Sequence, residues 1–235
     1  MFESLLSGAT LSLGLTCLSL VIGLFLALIM TYVLNSNYNS LKFLTQGFIF
    51  FTRGVPLLVQ FFLLYYGSAQ FEWVRNSLLW EILQHPFACA LIALALNSSA
   101  YTTVLLQSSI CNIPKGEIEA CIALHMPLYT RLRQVILPRA FSTFWPAYSN
   151  EAIMVLKSTS LASTITLMDL MGATRQIIAK TYEPAEALIM AGCLYLLMSG
   201  LLMGIFHTLR YYFNNKNNKP IFSLPQKLHN EFGHT

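Results

Sequence analysis

The residue whose type and position point most directly to chemistry is Glu151. It stands thirteen residues past Pro138 in the run PRAFSTFWPAYSNEAIMVL. A helix starting at that proline carries it about 20 Å into a bilayer at 1.5 Å per residue. A charge near mid-bilayer costs about 2.5–3.5 kcal/mol on insertion scales, so it has to face a cavity or a partner. A carboxylate facing a polar path attracts a cation and accepts charge-assisted hydrogen bonds from an ammonium or a guanidinium. Arg53 offers a competing reading. It lies about 16 Å from the same face by the same rise, so an Arg53–Glu151 ion pair with a structural or gating role is open. Asn150 beside Glu151, and Ser158 on the same helical face, are secondary candidates for contact with a substrate. Asp169, in STSLASTITLMDLMG, is a second candidate carboxylate, with a helix cap or a gate hydrogen bond as its alternatives. Lys157, near the end of its run, reads as an interface lysine.

A second stretch carries chemistry of another kind. IPKGEIEACIALHMPLYTRLRQVILP, from Ile113 to Pro138, is charged and holds three prolines, yet it sits between long apolar runs. Pro114 suits a first helical turn, where a missing N–H costs nothing. From Lys115 the chain can run as about three turns, with Ile118, Cys121 and Ile122 as an apolar stripe and Ala120, Ala123 and Leu124 covering much of the rest. Met126-Pro127 stops this helix, and Pro138 opens the next apolar run. A short helix that is small and apolar nearly all round is one that gets buried, here against protein outside the bilayer. An ordinary loop helix resting on its own chain is the alternative.

The elements that position these residues follow from composition. The chain has 235 residues, 55% hydrophobic and 10% charged. Soluble domains carry about 25% charged residues, so the main solvent is a bilayer. About 20 apolar residues cross it. Five spans meet that need: 11–34, 43–66, 86–110, 138–156 and 184–209. The fold class is all-α, an integral membrane protein, with residues 1–213 as one transmembrane unit, 111–137 as a loop between spans, and 214–235 as a polar tail. The start, MFESLLSG, lacks a basic residue and the apolar run is long, so the first span reads as retained. With the N-terminus outside and the C-terminus cytoplasmic, the inner segments hold nine Lys and Arg and the outer segments four, with Arg53 inside a span. That bias favours this orientation and puts the 111–137 loop in the cytoplasm. Tyr65, Tyr66, Trp73 and Trp80 read as anchors against membrane lipid, and FEWVRNSLLWEILQH as a short amphipathic helix on the outer surface.

Several classes are excluded. The five cysteines include no CxxC pair and the five histidines no HExxH, so no metal site is expected. No basic patch is interleaved with aromatics, so no nucleic-acid partner is expected. There is no GxxxxGK[ST], so this chain binds no nucleotide as a P-loop protein does. A membrane-embedded enzyme needs a nucleophile and base, or metal ligands, at matched depth, and Glu151 alone supplies no such set. An ion-coupled secondary transporter usually shows paired broken helices across an internal repeat, and no repeat is seen.

Glu119-Ala120-Cys121 followed by Ile136-Leu137-Pro138 resembles the "EAA" loop of ABC-importer permeases. RGVPLLVQFFLLYYG (53–67), NSSAYTTVLLQSSICNIPKGEIEA (97–120) and YSNEAIMVLKSTSLASTITLMDLMG (148–172) are similar to the polar amino-acid permeases. Within them the chain resembles the histidine/lysine/arginine/ornithine–octopine group, and there most of all the M-type arginine permeases. The resemblance implies a type I ABC importer permease (MetI-like) fold in a bacterial inner membrane, multi-pass. It implies import of a basic amino acid, arginine foremost, with histidine, lysine, ornithine or opines as alternatives. It implies a dimer with a second permease subunit, two ATP-binding subunits that hold ATP and Mg, and a periplasmic or surface binding protein. No cofactor is implied in this chain. The coupling residues it implies are Glu119, Ala120, Cys121, Ala123, Leu124 and His125. His125 stands where the family usually has glycine, a position favouring a left-handed helix end. Histidine there is expected to adopt that conformation at a cost of about 1 kcal/mol.

Overall fold

The computed structural model describes residues 2–217, all helix and connection. The helices are α1 Phe2–Asn35, α2 Asn39–Gly54, α3 Leu57–Phe62, α4 Glu72–Arg75, α5 Trp80–Leu83, α6 Pro86–Cys111, α7 Lys115–Ala123, α8 Leu128–Arg131, α9 Leu137–Ser158, α10 Leu170–Thr181 and α11 Pro184–Asn217. Helices satisfy their own backbone N–H and C=O groups, which hydrocarbon cannot do for them. Among the described residues, three helices are long and apolar enough to cross a membrane: α1, α6 and the 184–212 part of α11. Two bent pairs raise the number to as many as five. One is α2 with residues 57–70, bent by 105°; the other is 128–165 with α10, bent by 51°.

Small residues set the packing. One face of α1 buries Gly8, Ser12, Thr16, Gly23, Ala27 and Thr31, two runs at steps of four separated by a step of seven. It lies along α6, which offers Ala95, Ser98, Ser99 and Thr102. A methyl group on Gly23 would stand 3.1 Å from Ser98 Cβ, so the two backbones approach because the side chains are small. Gly8 does the same at the other end: a Cβ there would meet the Asp169 carbonyl oxygen at 2.8 Å.

Several boundaries differ from those expected of the sequence. The first helix begins at Phe2, not near residue 11. The second span breaks at Gly54-Val55-Pro56, because Pro56 has no N–H and forces the residue before it extended; Val55 has φ −90° and ψ 128°. Pro138 does not open a helix. The chain is already helical from Leu128 and passes through a π-turn, Leu132–Ile136, into α9. That wider turn bonds Leu137 N–H to the Leu132 carbonyl and makes room for the proline ring. The surface helix expected over FEWVRNSLLWEILQH is two four-residue helices, α4 and α5, joined by turns. The polar tail is expected from residue 214; residues 214–217 continue α11, and the rest lies outside the described residues.

Candidate functional site

Two places hold the residues singled out above: the middle of the helix packing and the connection from α6 to α9.

In the middle, α9 is tied to its neighbours by two aromatic side chains. The Tyr148 hydroxyl donates to the Leu20 carbonyl of α1 at 3.0 Å, and the Trp145 indole N–H donates to the Phe206 carbonyl of α11 at 2.9 Å. Glu151 follows Tyr148 by less than one turn and is half-buried. Its carboxylate lies beside the Ser98 hydroxyl of α6, which is fully buried. The depths agree: Ser98 and Glu151 each lie about 20 Å along the helix from the ends flanking α7. Asn150 points to the exposed side, and Ser158 is half-buried at the end of α9.

Arg53 does not reach Glu151. The ion pairs among the described residues are Arg75–Glu72 and Arg139–Glu117. Arg53 instead sits over the Tyr101 ring, 5.0 Å from its centroid, a cation–π contact. The break at Pro56 turns the chain by 105° just past Arg53, so the straight-helix estimate that places it opposite Glu151 fails. Tyr101 is three residues past Ser98 on α6, so Arg53 lies about one turn nearer the α7 end than Glu151. With Gln46 and Gln107 they line a groove of about 660 Å³.

Asp169 is fully buried and is the N-cap of α10. Its Oδ1 accepts the Gly172 N–H at 2.9 Å, which satisfies one of the free donors of the first turn. The first N–H of the helix, of Leu170, donates to the Ser12 hydroxyl at 3.2 Å. Oδ2 completes no hydrogen bond, and neither does the nearby Tyr195 hydroxyl of α11. Of the readings open for Asp169, the helix cap is the one its geometry displays.

The connection holds α7. Pro114 is its N-cap, one position earlier than the first turn. Its end is a Schellman motif: Met126 N–H bonds the Cys121 carbonyl at 3.0 Å and His125 N–H bonds the Ile122 carbonyl at 2.9 Å. His125 has φ 52°, the left-handed conformation expected of it. Cys121 is the buried residue of α7. Glu119, Ala120, Ala123, Leu124 and His125 are exposed, Leu124 at 75% and Ile122 at 56%. Leu128 and Tyr129 beyond it are exposed as well. The apolar face expected to be covered is therefore open in this chain.

One feature has no sequence signal. Arg139, in the first turn of α9, forks onto Glu117 of α7: Nη2 to Oε1 at 2.9 Å and Nε to Oε2 at 3.1 Å. A separation of 22 residues across a loop has no periodicity to reveal it. Among the described residues no three His, Cys, Asp or Glu side chains come together as a metal site.

Residues 13–211 match the model of a family described as binding-protein-dependent transport system inner membrane component. The chain is 38% identical to the octopine transport system permease protein OccM of Rhizobium meliloti, over 96% of this chain and 94% of that one. It is 42% identical to the arginine ABC transporter permease protein ArtM of Haemophilus influenzae, over 86% and 90% of the two chains. With ArtM of Escherichia coli K12 the identity is 45%, over 86% and 92%. A crystal structure of an amino acid ABC transporter with histidines superposes with a TM-score of 0.80 at 29% identity, covering 90% of this chain and 94% of that one. Inward-facing MetNI methionine ABC transporter shares the fold, with a TM-score of 0.73 at 16% identity over 91% and 97%.

Proposed function

Because the chain belongs to the binding-protein-dependent transport system inner membrane components, we propose that it is the permease through which an ATP-driven importer passes a basic amino acid, arginine foremost. Its relatives make the chain a multi-pass inner-membrane permease subunit of an amino-acid ABC importer. Such a subunit is a transport component, and ATP hydrolysis belongs to its partners.

The observation that carries the finer reading is Glu151. It is a half-buried carboxylate about 20 Å along its helix, beside the Ser98 hydroxyl and with no basic side chain at ion-pair distance among the described residues. A carboxylate left unpaired in hydrocarbon is costly, so its partner is the passing cation. Asn150 and Ser158 flank it as weaker contacts. Asp169 serves as a cap rather than a substrate ligand in this reading. Arg53, Gln46 and Gln107 cannot face lipid without cost either, so their groove opens on the same polar path, with Arg53 as a gate residue.

Coupling runs through α7. Exposed Ile122, Leu124, Leu128 and Tyr129 form an apolar face outside the membrane, the kind of patch that marks a protein contact. An ATP-binding subunit covers it, with Glu119, Ala120, Cys121, Ala123, Leu124 and His125 at the joint. The N-terminus is outside and the C-terminus cytoplasmic, which places α7 on the nucleotide side. A second permease subunit and a binding protein complete the importer.

The octopine relative supports a second substrate reading. Octopine carries the arginine guanidinium, so Glu151 suits either. Reconstitution with the ATP-binding subunit and candidate binding proteins, presenting one labelled amino acid at a time, decides it. ATP-driven uptake of neutral amino acids alone would overturn the reading.

A further inference from the structure

α7 is loosely built into this chain. Among the described residues it packs broadly against no other element, and its buried residue is Cys121 alone, with Ile113 buried just before it. The covalent route from α7 to α9 is indirect. It passes the left-handed turn at His125, Pro127 and the π-turn Leu132–Ile136 before α9 begins.

One direct route bypasses it. Glu117 is in the first turn of α7 and Arg139 in the first turn of α9, and the two meet in a fork, at 2.9 and 3.1 Å. Two parallel N–H···O bonds fix direction as well as distance, which a single lysine contact does not. Glu117 is the sheltered partner at 30% exposure, against 63% for Arg139. The fork lines a polar cleft of about 190 Å³ whose other walls include Asn112 at the end of α6 and Ser142 and Thr143 on α9. The ion pair is what crosses that cleft. Arg139 lies on the helix that carries Glu151, twelve residues or about 18 Å further on.

We propose that the Glu117–Arg139 ion pair is the link that makes α9, and with it Glu151, follow the movement of α7. Glu117 and Arg139 are positioning residues: they touch no substrate and transmit a displacement. This rests on the reading of α7 as the joint with an ATP-binding subunit. Arg139→Lys keeps charge and loses the fork; Glu117→Gln keeps shape and loses charge.

The test uses the whole importer in proteoliposomes, reading labelled arginine transported per ATP hydrolysed, together with capture of the ATP-binding subunit. Glu117→Gln and Arg139→Lys lower that ratio about fivefold, equivalent to about 1 kcal/mol for a half-exposed forked pair. Capture and hydrolysis stay near native. The swap Glu117→Arg with Arg139→Glu restores most of the ratio that either reversal alone removes. A role in assembly only would lower capture, hydrolysis and transport together and leave the ratio unchanged. That result, or a swap no better than its single reversals, overturns the proposal. If the reversals do not assemble, Glu117→Gln and Arg139→Lys decide it alone, and an unchanged ratio in both overturns it. Failure of the underlying reading looks different: the native complex would then show no ATP-dependent uptake at all.

Discussion

Glu151→Gln replaces one carboxylate oxygen by an amide nitrogen and changes almost no volume. The side chain is half-buried, its neighbour is the Ser98 hydroxyl, and no basic side chain among the described residues stands within ion-pair distance. Under the proposed function, what the substitution removes is its charge toward a passing cation. Hydrogen bonds to a charged group contribute about 1.5–3 kcal/mol, so the KM for arginine rises about 10- to 150-fold. The folded protein loses nothing by it. An unpaired charge in a poorly polarisable site is a cost, and the neutral amide lowers that cost. The two readouts therefore move in different directions. Labelled arginine uptake at graded concentration, in vesicles matched for assembled complex, shows the rise in KM. A thermal melt of the purified complex shows a midpoint no lower than native. An unchanged KM removes Glu151 from the path. A KM rise accompanied by a large drop in the melting midpoint assigns it to the framework instead.

The packing and joint give further expectations. Gly8→Ala drives a methyl group into the Asp169 carbonyl at 2.8 Å and costs about 1–3 kcal/mol. Gly14→Ala meets nothing within 4 Å and leaves the melting midpoint unchanged, so equal effects would refute the contact. Asp169→Asn keeps an oxygen for the Gly172 N–H and leaves arginine KM within about twofold, while Asp169→Ala loses the cap at about 1 kcal/mol. A KM loss in Asp169→Asn with full stability would return Asp169 to the substrate path. Glu119→Lys reverses charge on the exposed side of α7 and is expected to leave the fold intact while separating ATP hydrolysis from transport. Unchanged substrate-stimulated hydrolysis in reconstituted vesicles would count against a coupling role.

The left-handed end of α7 is legible through the resemblance, because His125 stands where the family usually has glycine. The start of α9 is not. Pro138 reads as a helix start, since proline favours a first turn. The chain takes another solution, a π-turn that opens the backbone ring ahead of the proline, so helix runs on unbroken from Leu128. The break at Pro56 is visible as a residue type, but not its angle. A bend of 105° there decides which side chain Arg53 meets.

By itself the sequence determined that the chain is helical and membrane-bound, that Glu151 stands well inside an apolar run, and that a short polar insert separates two apolar runs. Those follow from hydropathy, rise per residue and local propensity, which need no long-range contact. Tertiary structure decided the pairings: Glu151 beside Ser98, Arg53 on Tyr101, Asp169 as a cap against α1, and Arg139 forked onto Glu117. A partner is chosen by where helices bend and how closely their small faces let them approach, and neither is encoded in the neighbours of a single residue.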